Sequence, residues 1–252
     1  MSTPFSLQNR DIWVIGAAGY LGQEVVKLLT ALGASVLCAD LPGKAQPAPN
    51  TTPAGLDAAD IPALEKFITD QIAARGVPHG LVVMTYAGTA KKFDELTAAD
   101  FDHANHGNLT ATFTLARAIG NAMAERGSGS LVLFSSMYGT VSPDPHIYES
   151  PMTPNPVEYG VGKAGMQHLT RYLAVHYGKS GVRCNAISPG PFPNPSVQHD
   201  EPAFIDRLSK KVPLGRVGQS PEIAGAVAFL LGDTSTFITG QNLAVDGGWT
   251  IW

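Results

Sequence analysis

The chain has 252 residues, 17 basic against 21 acidic, and a formal net charge of −4. That length allows two small domains or one large α/β domain, and the balanced charge offers no basic patch of the kind that follows phosphate backbones or anionic lipid. Nucleic acid and membrane surfaces are therefore not expected partners.

No apolar run reaches the roughly 18 residues of a membrane helix, and the opening MSTPFSLQNRD lacks the basic and apolar segments of a secretory signal, so a cytoplasmic protein is expected. Cys38 and Cys184 each lie inside an apolar run and read as buried thiols rather than a disulfide or metal site.

Short apolar runs alternate with longer amphipathic segments. DIWVIG reads as a strand, YLGQEVVKLLTALG as a helix, SVLCAD as a strand and IPALEKFITDQIAARG as a helix. LVVMT, FDHANHGNLTATFTLARAIGNAMAER and SLVLFSS continue the pattern as strand, helix and strand. Then come the helix EYGVGKAGMQHLTRYLAVHYGK, the strand VRCNAIS, the helix SPEIAGAVAFLLG and the strand NLAVDGG. The helix at 220 opens with Ser220 as cap, Pro221 at its first position and Glu222 in its first turn. This alternation predicts an α/β fold with a doubly wound parallel sheet of the Rossmann type, about seven strands with helices on both faces. No linker or fixed-period repeat divides it, so residues 1–252 read as a single dinucleotide-binding and catalytic domain.

Two proline-rich stretches break the rhythm. Residues 142–158 and residues 189–202 hold five prolines each, and both follow predicted strands. Proline fixes its own φ and cannot donate to a ladder, so these read as loops. In open α/β sheets ligands sit beyond the carboxyl ends of strands, which makes the segments near 142–158 and 189–215 candidate substrate loops.

The turn after the first strand carries Gly16, Gly19 and Gly22 in G-x-x-G-x-x-G spacing, with Tyr20 and Leu21 between the last two. Glycines there let the backbone approach a pyrophosphate, while the helix start offers free N–H groups to the anion. The second strand ends in Asp40. A carboxylate at that point accepts ribose hydroxyls and repels a 2′-phosphate, which favours NAD over NADP.

Tyr159 and Lys163 stand four apart in a helical segment and so share a face. An ammonium about 5 Å from a phenol, at an effective dielectric near 20, is worth roughly 3 kcal/mol, enough to lower the phenol's pKa by about two. Such a tyrosine is a workable general acid/base. Gly160, Gly162 and Gly165 surround the pair, although glycine costs a helix about 0.5 to 1 kcal/mol relative to alanine.

From Gly16 to Gly248 the chain resembles the short-chain dehydrogenase/reductase family, in its compact form. The pieces that carry the resemblance are the glycine turn, Asp40, Leu56-Asp57, Ala87-Gly88, Asn108-Leu109, Ser135-Ser136, Tyr159 with Lys163, NAISPG from Asn185 to Gly190 and the closing VDGG from Val245. The resemblance implies a catalytic tetrad of Asn108, Ser136, Tyr159 and Lys163. Ser136 would hold the reacting oxygen, Tyr159 would exchange its proton, and Lys163 would hold the nicotinamide ribose. The main-chain carbonyl of Asn108 would keep a proton-relay water in place. It also places Gly16, Gly19, Tyr20, Leu21, Gly22, Asp40, Leu56, Asp57, Ala87, Gly88, Tyr159, Lys163, Pro189 and Gly190 around the cofactor. A homodimer or homotetramer is implied, with the glycines around Tyr159 admitting the same helix of a second subunit and the C-terminal tail joining an interface.

The chain departs from the family pattern in three places. Ile15 replaces a threonine and Tyr20 a glycine in the turn, Thr85-Tyr86 replaces a pair of asparagines, and Ser136 and Tyr159 lie farther apart than usual, the excess falling in the proline-rich insert. That insert resembles bacterial sugar-modifying members, including those of flagellin glycosylation and nonulosonate synthesis. His146, Tyr148, Glu149 and Glu158 add polar groups suited to a polyhydroxylated ligand. The expected activity is hydride transfer between NAD(H) and a secondary alcohol or ketone of a sugar, sugar derivative or polyol. A dehydrogenase of less polar alcohols and a non-catalytic NAD(H) sensor are the alternatives. His103 and His106 read as solvent-facing or capping residues, and no metal site is expected.

Overall fold

The computed structural model describes residues 5–150 and 152–252. Seven strands form one parallel sheet: β1 (Asp11–Ile15), β2 (Ser35–Asp40), β3 (Thr51–Gly55), β4 (Gly80–Val83), β5 (Gly129–Phe134), β6 (Val182–Pro189) and β7 (Asn242–Val245), in the order β3-β2-β1-β4-β5-β6-β7. Its inner strands are apolar on both faces, and successive side chains feed opposite cores. Trp13 and Ile15 join Leu37, Leu81 and Leu131 on one face, whereas Ile12 and Val14 join Val36, Val82 and Val132 on the other.

The first face is covered by α2 (Ile61–Arg75), by the helical run that contains α3 (Ala98–Asn105) and α4 (Ala111–Arg126), and by α5 (Val157–Tyr177). The second is covered by α1 (Tyr20–Ala31) and, further along the chain, by the helix Ser220–Leu231. Strand order reverses direction between β1 and β4, which share the register Ile15↔Val83. The crevice beyond their carboxyl ends is the switch point where such sheets bind ligands.

Five elements differ from what the sequence predicts. β3, TTPAG, has neither the composition nor the alternation of a strand; it is an edge strand paired only with β2, where Pro53 is tolerated. The long helix at 98–126 is interrupted by a π-helical segment at His106–Thr110, and at Gly107 a Cβ would stand 2.7 Å from the Cβ of Ala87. The stretch read as a loop after β6 holds two helices, α6 (Pro195–Asp200) and α7 (Pro202–Lys211), whose prolines sit in the first turn, where no N–H partner is needed. The next helix, α8 (Ser220–Leu231), is capped by Gln219 rather than Ser220: Glu222 accepts from the Gln219 N–H at 2.8 Å.

A third, smaller core joins the proline-rich insert to α7. Met137, Tyr138, Ile147, Leu208, Val212 and Trp249 pack together there. Trp249 is thus buried inside its own chain, while Ile251 and Trp252 remain exposed. Among the described residues no helix is long and apolar enough to cross a membrane.

Candidate active site

The groove at the switch point has two halves, with volumes of about 310 and 400 Å³, which share Gly16, Gly19, Met84, Thr85 and Tyr86 as walls. One half contains Tyr20, Leu21, Gly22, Ser136, Tyr159, Lys163, Pro189 and Gly190; the other contains Asp40, Leu56, Asp57 and Ala87. Gly88 lines neither half; it lies beneath the phenol of Tyr86.

The glycine turn is built for close approach. Gly16 has φ of +88°, and a Cβ there would stand 2.8 Å from the Met84 carbonyl oxygen. A Cβ on Gly22 would strike the Gly16 carbonyl, whereas Gly19 meets nothing closer than 3.5 Å. Gly19 caps α1 with no side-chain hydrogen bond, so the first N–H groups of the helix are left to face the groove. Asp40 braces the turn: its carboxylate accepts from the Ala18 N–H and from its own neighbour Leu41 N–H, each at 2.8 Å. A carboxylate oxygen keeps a further lone pair for a ribose hydroxyl. This cradle of missing Cβ atoms, free helix N–H groups and an acceptor fits a dinucleotide.

On the catalytic side, β5 ends at Ser135-Ser136 and α5 runs back across it. Ser136 Oγ accepts from the Tyr138 N–H at 3.1 Å. Lys163 is 4% exposed and its Nζ donates to the Phe134 carbonyl at 2.8 Å, 5.6 Å from the centre of the Tyr159 ring. Burial lowers the Lys163 pKa to about 8. Burial also raises the Tyr159 pKa, and a hydrogen bond with Ser136 works against that rise. The expected depression of the phenol by the ammonium is therefore not present in the protein alone.

Asn108 stands behind the groove rather than in its wall. It is 1% exposed, in the π-helical segment, and its side-chain amide takes both backbone groups of Ala87: Oδ1 accepts from the N–H at 3.0 Å and Nδ2 donates to the carbonyl at 2.5 Å. Its own carbonyl accepts from Thr112 Oγ1 at 2.6 Å. π-Helical turns are frequent at functional sites because they re-aim such groups.

The glycines of α5 are explained within the chain. A Cβ on Gly162 would stand 2.9 Å from Asn105 Oδ1, one on Gly165 3.1 Å from Leu109, and one on Gly160 3.1 Å from the Tyr138 carbonyl. Gly162 and Gly165 thus admit α3 and the π segment of the same chain.

The polar residues of the insert do not line the groove. His146 pairs with Asp144, Glu149 pairs with Arg207 at 2.9 Å, and Tyr148 shares a 2.6 Å hydrogen bond with Tyr138. Glu158 is fully buried. Arg207 also donates to the Ile147 carbonyl at 2.7 Å and Lys211 to Asp144 at 2.7 Å, so the insert is strapped to α7. His106 lies against the Ala59 carbonyl at 2.9 Å, beside the Asp57 turn. A cavity of about 630 Å³ on the other side of α5, walled by Lys91, Val157 and Val161, holds none of the tetrad.

Tyr86, noted as a departure from the family pattern, walls the groove, as do Met84 and Phe192, which the sequence did not single out. Each follows the carboxyl end of a strand, and that position was the available signal. Tyr86 is 65% exposed, and its ring lies 5.5 Å from that of Tyr159 at 59°.

Known proteins share this fold. Residues 16–250 match the family described as Enoyl-(Acyl carrier protein) reductase. The chain is 30% identical over 258 aligned residues, 99% of this chain and 98% of the relative, to the galactitol 2-dehydrogenase (L-tagatose-forming) of Cereibacter sphaeroides. A short chain dehydrogenase of Leptospira borgpetersenii, solved with bound NAD+, superposes with a TM-score of 0.88 at 29% identity, covering 98% of this chain and 95% of that one. A gluconate 5-dehydrogenase from Burkholderia cenocepacia, in complex with NADP and tartrate, gives 0.86 at 26% identity over 99% and 98%. The chain belongs to the short-chain dehydrogenase/reductase family, oxidoreductases that interconvert CH–OH and C=O groups with a nicotinamide cofactor.

Proposed function

We propose that the protein is an NAD(H)-dependent dehydrogenase of a secondary alcohol in a polyol, sugar or sugar derivative, with Tyr159 as general acid/base and with binding and catalysis in one domain. The observation that carries this reading is the convergence of Ser136, Tyr159 and Lys163 on one half of a groove whose other half ends in Asp40. The similarity to a galactitol dehydrogenase supports a polyhydroxylated substrate.

In this reading the turn at Gly16, Gly19, Tyr20, Leu21 and Gly22 receives the pyrophosphate, and Asp40, Leu56, Asp57 and Ala87 receive the adenosine. Lys163, Pro189 and Gly190 hold the nicotinamide side. The bound nicotinamide supplies the hydride acceptor or donor. Ser136 donates to the substrate oxygen, and Tyr159 takes its proton in oxidation and returns it in reduction. Burial favours the neutral phenol, so Tyr159 rests as the acid; the Ser136 hydrogen bond lowers the cost of its anion. Lys163 stays fixed against the Phe134 carbonyl, its Nζ 5.6 Å from the centre of the Tyr159 ring. Asp40, already committed to the turn, favours a free 2′-hydroxyl over a 2′-phosphate.

An exposed apolar face on α4 and α5, including Phe113, Val157, Val161, Tyr172 and Val175, supports a homodimer or homotetramer. The function is tested by following NADH formation from NAD with polyols, hexoses and sugar acids beside cyclic apolar alcohols. Turnover confined to the polar compounds is expected; turnover only on the apolar ones would refute the substrate class.

A further inference from the structure

Glu158 is a carboxylate beside the active tyrosine that the mechanism above does not use. It is 0% exposed; Oε1 accepts from Thr89 Oγ1 at 2.7 Å and from the Thr89 N–H at 3.4 Å, while Oε2 has no hydrogen-bond partner. Leaving a buried carboxylate oxygen without a donor is costly, so the group calls for an explanation.

Thr89 lies in the segment after β4, which is fixed residue by residue. The Tyr86 hydroxyl lies over Gly88, where a Cβ would stand 2.6 Å from it. Ala87 is bracketed by Asn108, Thr89 is held by Glu158, and Ala90 adopts a left-handed φ of 56°. Lys91 is paired with Asp100 at 2.7 Å. The product of these restraints is the placement of Tyr86, whose exposed ring walls both halves of the groove where they meet. A ligand that spans both halves must pass that ring.

We propose that Glu158 is a positioning residue that, through Thr89, holds the ring of Tyr86 as a stacking wall for the nicotinamide riboside half of the dinucleotide. The proposal rests on the dinucleotide reading of the groove. A phenol presents a flat apolar surface to a ribose or pyridine ring, where the amide usual at this position would present hydrogen bonds. The Tyr86 pKa is raised, first by desolvation where its hydroxyl lies over Gly88, so that surface stays uncharged.

The test is binding, read by NADH fluorescence titration and by calorimetry with AMP, which lacks the nicotinamide riboside. Tyr86→Leu raises the NADH Kd about five-fold and leaves the AMP Kd within about two-fold of the parent. Thr89→Val and Glu158→Ala do the same, while Thr89→Ser, which keeps the hydroxyl, and Tyr86→Phe, which keeps the ring, bind as the parent does. The Tyr86→Leu/Thr89→Val pair loses no more than Tyr86→Leu alone, because both changes act through one ring. Unchanged NADH binding by Tyr86→Leu, an equal loss of AMP binding, or losses that multiply in the pair overturn the proposal. Should Glu158→Ala not fold, the Thr89 and Tyr86 variants decide it. A parent protein that binds neither NADH nor AMP overturns the dinucleotide reading itself, which is a different failure from one confined to the variants.

Discussion

Gly162 faces Asn105 at a close approach between α5 and α3: a Cβ at 162 would stand 2.9 Å from the Asn105 side-chain oxygen. With Gly165 against Leu109, this contact lets α5 lie against the π segment that carries Asn108 while Lys163 reaches the Phe134 carbonyl. The helix gives up propensity to bring the four tetrad positions onto neighbouring surfaces.

Gly162→Ala should therefore destabilise the fold by about 1 to 3 kcal/mol even though alanine is the better helix former, and leucine should do worse. Urea unfolding with parallel sedimentation checks this. A variant with parental stability that sediments as a smaller species would restore an intersubunit role for the glycine.

Lys163 gives a pH signature. Its pKa is lowered by burial from 10.5 to about 8. Below about 8 both folded and unfolded chains carry the charge, and the folded one bears the full burial cost. As pH rises from about 8 to 10.5 that cost disappears, so this group adds stability with increasing pH across the window. Relative to Lys163→Met, the parent should gain on the order of 3 kcal/mol between those limits. A difference between the two proteins that stays flat from pH 8 to 10.5 would remove the buried-ammonium account.

Asp40→Ala should relax cofactor choice. With the carboxylate gone, repulsion of a 2′-phosphate is lost, and the NADP-to-NAD ratio of kcat/KM should rise roughly ten- to hundred-fold. The Ala18 N–H loses its acceptor as well, so NAD affinity should fall somewhat. An unchanged ratio would mean that selectivity lies elsewhere in the turn.

Arg207 straps the insert to α7 through the Ile147 carbonyl and Glu149. Arg207→Ala should free the insert, seen as faster proteolysis within 142–156 and a KM for the substrate raised several-fold with cofactor affinity unchanged. A parental proteolysis rate would show that the third core holds the insert without the arginine.

Much of this was legible in the chain. Six of the strands announce themselves as apolar runs, and the glycine turn, Asp40, Tyr159 and Lys163 lie in one groove together with Ser136, which the family resemblance supplied. β3 was hidden because an edge strand needs little hydrophobicity, and α6 and α7 because prolines that look like breakers sit at helix starts. The α5 glycines report that a surface must be small without saying which helix approaches it; within the chain α3 and the π segment do so. The insert was misread for a related reason: polar side chains such as His146 and Glu149 were spent on ion pairs, which depend on the position of Asp144 and Arg207.

The most direct measurement compares the parent with Tyr159→Phe for NADH formation on a turned-over polyol or sugar, with NADH binding measured on both. Loss of kcat by about three orders of magnitude with NADH affinity within about two-fold is the predicted result, since only the exchangeable proton is removed. Turnover retained within about ten-fold of the parent would contradict Tyr159 as the acid/base, and with it the mechanism assigned to this groove.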